Sequence, residues 1–192
     1  MNNKLFIIMG LLIIAPVSTM GNETNEPDGS LPVLHITTDN SEEITSKEVY
    51  LDAVCHLEWG GVKTEEPLRI KGRGNVTWNK FEKKPYRLKF ENKVSILGLN
   101  KSKHFVLLSG VDDQYGFLKY SVGFELSRRI GLEWTPEFIP VELYINNDYR
   151  GLYFLTESIK VAKNRVNIEE QDNGETDPDK ITGGWLLEID NY

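Results

Sequence analysis

The chain has 192 residues, 40% of them hydrophobic, and a formal net charge of -7. That length suits one domain with a real hydrophobic core, and the acidic balance argues against a nucleic-acid binder, because neutralising phosphates takes a basic face. Cys55 is the sole cysteine, which excludes an internal disulfide and leaves stability to packing.

Residues 1–21 read as a signal peptide. Lys4 opens it, 5–17 is apolar apart from Gly10 and Pro16, and Ser18, Thr19 and Gly21 follow. The apolar run of roughly 13 residues is shorter than the roughly 20 of a spanning helix. The expectation is therefore an exported protein, extracytoplasmic or at the cell surface, with no stable membrane span. Residues 22–30 are polar, contain Pro27 and Gly29, and read as a linker to a domain over 31–192.

Strands are expected over 31–37 and 49–59, the second alternating Val49, Leu51 and Ala53 with polar residues and ending at the Gly60-Gly61 turn. Further strands are expected over 67–73, 85–90 and 104–108, with a loop holding Gly72, Gly74, Asn75 and Asn79 between the first two. The main helix follows. Asp112 or Asp113 can cap it, Phe117, Leu118, Val122, Phe124, Leu126 and Ile130 recur at near-helical spacing, and Gly131 stops it. Residues 138–158 form the clearest hairpin, turning at Asn147-Asp148. Residues 159–165 read as a short helix or loop, 171–180 as an acidic, turn-rich excursion, and 185–189 as a buried strand. The chain ends directly after that strand, which reads as an incomplete domain.

The stretch IKGRGNVTWNKFEKKPYRLKF, residues 70–90, joins a glycine-containing loop to a basic strand. Glycines let backbone N–H groups approach an anion, and a lysine on the next strand can neutralise phosphate charge. Gly72, Arg73 and Gly74 make neither a Walker loop nor a G-x-G-x-x-G loop, and a hairpin loop with solvated lysines remains the plain alternative. Alternation puts Lys84, Tyr86, Leu88 and Phe90 on one face and Lys83, Arg87 and Lys89 on the other. Lys84 on the apolar face asks for an anion, unless the strand begins at Pro85 and leaves it outside. Glu157 closes the run 152–156 on the face of Tyr153 and Leu155. It is either the carboxylate that an inward Lys84 asks for or a carboxylate at the start of a following turn. Glu142, Glu188 and Asp190 also lie in apolar strands. His35, His56 and His104 are isolated and give no metal-ligand spacing, and Cys55 beside Val54 and Leu57 reads as a buried, inert thiol.

These residues resemble the CotH family of spore-coat-type, secreted, bacterial kinase-like proteins. The resemblance rests on IKGRGNVTW, KKPYRLKF, ILGL, FVLLSG, FELSRRIGL, VELYINNDYRGLYFLTESI and GGWLLEID, in that order, over roughly residues 31–190. It implies an α+β fold, a β-rich kinase-like N-terminal lobe with one main helix. The implied function is the N-terminal part of an exported atypical protein kinase, a phosphotransferase using ATP and Mg, with nucleotide and a protein substrate as partners. Lys84 resembles the phosphate-contacting lysine, Glu157 the glutamate that positions it, and Arg73 and Asn75 sit in the loop near the phosphates. Two departures stand out. Lys119-Tyr120 replaces an Arg-Asn pair, and the family's later aspartate motifs, which carry catalysis and metal, are absent from this chain. Phosphoryl transfer relies on metal and positioning, so the alternative is a non-catalytic surface or spore-envelope binding module.

Overall fold

The structure, a computed structural model, describes residues 30–114, 116–169, 174–181, 184 and 186–187. The signal-peptide expectation, Trp185, Glu188 and Asp190 lie outside them. Seven strands carry the fold: β1 (Val33–Thr38), β2 (Leu51–Trp59), β3 (Val62–Gly72), β4 (Tyr86–Val94), β5 (Ser102–Leu108), β6 (Phe138–Ile145) and β7 (Asp148–Glu157). Three helices are interspersed: α1 (Val76–Lys80), α2 (Leu118–Arg129) and α3 (Pro178–Ile181).

The strands close into a barrel in the order β1-β2-β3-β4-β5-β7-β6. Each neighbouring pair is antiparallel except β1 and β6, which run parallel and seal it. Alternation along six of the strands fills the interior with Leu34 and Ile36, Leu68 and Ile70, Leu88 and Phe90, Phe105 and Leu107, Val141 and Leu143, and Tyr153 and Leu155, all 2% exposed or less, and β2 adds Ala53 and Cys55. The β6–β7 hairpin turns at Asn146-Asn147, one residue earlier than expected. Both have positive φ, 52° and 65°, the conformation that matches the twist of two-residue hairpins and that asparagine tolerates.

The expected kinase-like α+β lobe is thereby corrected to a closed, β-rich barrel with few helices. The main helix exists, but it contributes no buried residue. Leu118, Val122, Leu126 and Ile130, which recur at near-helical spacing, are 54%, 55%, 55% and 66% exposed. The core is instead completed by the β1–β6 closure, in which Glu142 N–H donates to Pro32 O and Asn146 N–H to Ile36 O, each at 2.9 Å. Alternation reports that a strand has one apolar face; it carries no information on whether the sheet bends round to meet itself.

Candidate functional site

Glu157 is the last residue of β7 and follows Tyr153 and Leu155 inward, so its carboxylate enters the mouth of the barrel, 2% exposed. A lone charge there would cost several kcal/mol. Arg165 compensates it: Nη1 lies 2.8 Å from Oε1, with the two side chains 1% and 0% exposed. The backbone N–H of Asn100 donates to Oε1 and that of Glu137 to Oε2, both at 3.2 Å. Arg165 also donates to the carbonyls of Asn164 and Asn100. One ion pair therefore ties the chain before β5, the chain before β6 and the chain after β7 to the barrel end. Burial holds the Arg165 guanidinium below its ordinary pKa, against the pull of Glu157.

The chain between β3 and β4 lies toward the opposite end of β4: Tyr86 pairs with Leu107, which pairs with Leu155, whereas Glu157 is level with Phe105 and Leu88. Gly72 has to be glycine, because a Cβ would stand 2.3 Å from the Trp78 ring. Trp78 lies on α1, and its carbonyl accepts a hydrogen bond from Lys84 Nζ, which also rests 5.4 Å from the ring centroid. The Lys84 carbonyl accepts from the Tyr153 hydroxyl at 2.9 Å. β4 begins at Tyr86, after Pro85, so Lys84 falls outside the alternation that placed it on the apolar face. Its neighbour Lys83 donates to the Leu152 carbonyl and lies 4.6 Å from the Tyr153 ring centroid. Asn75 stands at the start of α1, where its Oδ1 accepts from Lys47 Nζ at 2.9 Å.

Arg73 turns the other way. It borders a cavity of about 550 Å³ together with Arg87, Tyr120, Phe124, Val106 and residues 156–159, a size suited to a small-molecule ligand. Burial holds the Arg73 guanidinium below its ordinary pKa, and the charge of Arg87 adds to this, while Tyr120 opposes it. Arg73 Nε is buried and has no hydrogen-bond partner. The carboxylate bordering the cavity, Glu157, is engaged by Arg165. Among the described residues neither Arg73 nor Arg87 forms an ion pair. Tyr120 donates to Asp112 Oδ1 at 2.8 Å, and Lys119 Nζ reaches Asp112 Oδ2 at 2.7 Å. Burial first, then that hydrogen bond, pushes the Tyr120 phenol up. Two guanidinium groups line one cavity with an apolar wall, and planar N–H forks of this kind match oxyanion geometry.

Of the residues singled out from sequence, Arg73 and Glu157 border this cavity. Lys84 borders another, of about 510 Å³, with Glu43, Glu82, Asp148 and Arg150. Alternation puts Arg87 on the face away from Lys84, and that same alternation is what delivers it to the cavity. Arg165 had no sequence signal at all, lying in a stretch without periodicity. Among the described residues no three His, Cys, Asp or Glu side chains converge to hold a metal ion, and no helix is long and apolar enough to cross a membrane. In comparisons with known proteins, the family model described as CotH kinase protein matches residues 68–190, well over half of the chain. No curated protein matches it.

Proposed function

This chain belongs to the CotH kinase protein family, and on that premise we propose that it is the nucleotide-binding part of an exported, ATP-dependent phosphotransferase whose phosphates are held by Arg73 and Arg87. The observation that carries the reading is the pair of guanidinium groups at one cavity, without ion pairs among the described residues, beside a carboxylate already paired with Arg165. The residues fit the phosphates of ATP. A coordinating Mg finds no ligand cluster among the described residues, so only the phosphate half of the site is assigned. When bound, magnesium-ATP supplies the phosphoryl group. The chain's own contribution is to bind and orient: Arg73 and Arg87 neutralise and align phosphate oxygens, Val106 and Phe124 offer apolar surface, and the Glu157–Arg165 pair fixes the rim.

In this reading Arg73 and Arg87 contact the phosphates, rather than Lys84, whose Nζ donates to the Trp78 carbonyl. The test is magnesium-ATP affinity of the full chain, by calorimetry, for the wild type, Arg73→Gln, Arg87→Gln and Lys84→Ala. Each arginine variant should bind about tenfold more weakly or worse, the worth of one charge-assisted hydrogen bond, while Lys84→Ala binds as the wild type does. Undiminished affinity in both arginine variants would remove the assignment. Incubation with γ-labelled ATP and a panel of proteins separates a phosphotransferase, which labels an acceptor, from a binding module, which labels none.

A further inference from the structure

The outer face of β3, β4 and β5 concentrates positive charge in a protein whose net charge is negative. Leu68 pairs with Phe90 and Ile70 with Leu88 inside the barrel, so the residues between them pair outside: Arg69 directly opposite Lys89, and Lys71 directly opposite Arg87. Lys89 in turn stands opposite His104 on β5. Like charges directly opposite on adjacent strands destabilise a sheet, and here the register repeats the juxtaposition in two successive rows. None of Arg69, Lys71, Arg87 and Lys89 is in an ion pair among the described residues. Arg69 and Lys71 lie against the Tyr50 ring, 5.6 and 4.9 Å from its centroid. Asp52, opposite Arg69, bounds the patch on β2. On β4 it is bounded by Glu91, whose carbonyl accepts from Lys103.

On its other side the patch runs into a cavity of about 380 Å³ lined by Arg87, His104, Ser158, Ile159, Lys160 and Val161. His104 is held below its ordinary pKa by burial first and then by the charges of Lys160, Lys89, Arg87 and Lys103. Every charge acting on it is positive.

We propose that this face is a docking surface for an acidic segment of a partner protein, whose carboxylates insert among Arg69, Lys71, Lys89 and Lys160. The occupant follows from size and charge. Three strands spaced about 4.8 Å apart, with two outward rows about 7 Å apart, make a patch that an extended peptide of a few residues covers. The rest of the chain is more acidic than the whole, because the net charge of -7 already includes these cations. A long phosphate backbone would run off the patch into like charge, whereas a short acidic segment ends within it.

The test measures binding of a fluorescein-labelled hexaglutamate peptide to the full chain by anisotropy at low and physiological salt. A hexaglutamine peptide and a single-stranded oligothymidine of matched charge serve as the other probes. The expected result is binding of hexaglutamate alone, weakened by salt and reduced about tenfold or more in Arg69→Gln/Lys89→Gln, with Lys63→Gln unaffected. Nucleotide affinity should be unchanged in that double variant, which keeps this inference separate from the phosphate assignment. The double variant should also melt no lower than the wild type, since it relieves repulsion. Hexaglutamate affinity insensitive to the double substitution, tighter binding of the oligothymidine, or a lower melting temperature of the double variant would each overturn the proposal.

Discussion

Replacing Arg165 by Met leaves the Glu157 carboxylate at the barrel mouth with two backbone N–H groups and no cation. In the wild type the pair is closed at 2.8 Å with both side chains essentially inaccessible, so solvent screening does not soften the loss. Removing one partner of such a pair typically costs about 3–5 kcal/mol. For a domain of this size, about 2–4 °C of melting temperature accompanies each kcal/mol, which puts the expected fall at roughly 6–20 °C. Glu157→Gln should also destabilise, because an amide cannot accept from Arg165, Asn100 and Glu137 as a carboxylate does and leaves a buried donor unmet. The double variant Glu157→Leu/Arg165→Met removes both charges and should lose clearly less than the sum of the single losses. Thermal or urea denaturation measures all of these. An Arg165→Met protein that melts within about 2 °C of the wild type, where less than about 1 kcal/mol has been lost, would refute the buried pair as the tie between the three chain segments.

Gly110→Ala should cost at least about 2 kcal/mol in urea denaturation. Its φ is +67°, and a Cβ would stand 2.5 Å from the Phe117 ring, which is itself stacked on Phe154 at 4.3 Å between centroids. Burial first, and then cationic neighbours, hold His104 below its ordinary pKa, so the unfolded chain takes up a proton there first as pH falls. That contribution to stability is present above the ordinary histidine pKa of about 6.5 and is lost as pH falls through the lower folded value. Melting temperature should decline from pH 7.5 to 5.5, and less steeply in His104→Gln. Cys55 is buried and its thiol is pushed up to about 12, so a thiol reagent at pH 8 should label it only on unfolding; prompt labelling of the native protein would contradict its place in the core.

Much of the sheet was legible because alternation is a local signal. Val141, Leu143 and Ile145 against polar neighbours define β6, and the asparagine turn defines the hairpin with β7 to within one residue. β3 was legible only from Pro67 onward; its first residues, Val62 to Glu66, are largely charged and exposed, and they pair with β2 without presenting an apolar stripe. Closure was not legible, because β1 and β6 meet across more than a hundred residues and neither strand carries a mark of its partner. The helix was legible, though it starts at Leu118 after Phe117 rather than directly after Asp112 or Asp113, and its environment was not: an apolar stripe announces a surface to be covered without saying that this barrel covers it. At the site, alternation left Lys84 either on the apolar face or outside the strand, and β4 begins at Tyr86, which leaves it outside. Glu157 was correctly set on the face of Tyr153 and Leu155, yet its partner Arg165 is fixed only by three-dimensional proximity.

The parallel seam between β1 and β6 also sets an order of events. β1 is the first strand to emerge during synthesis, but its second neighbour is made about a hundred residues later, so the barrel stands open along that seam until β6 arrives. Such long-range pairing folds slowly and leaves strand edges available to other chains in the meantime. A fragment cut to the family match, residues 68–190, would carry that exposure permanently. It would lack β1, β2 and the first half of β3, leaving β6 and the remainder of β3 as bare edges, templates for aggregation rather than walls of a closed barrel.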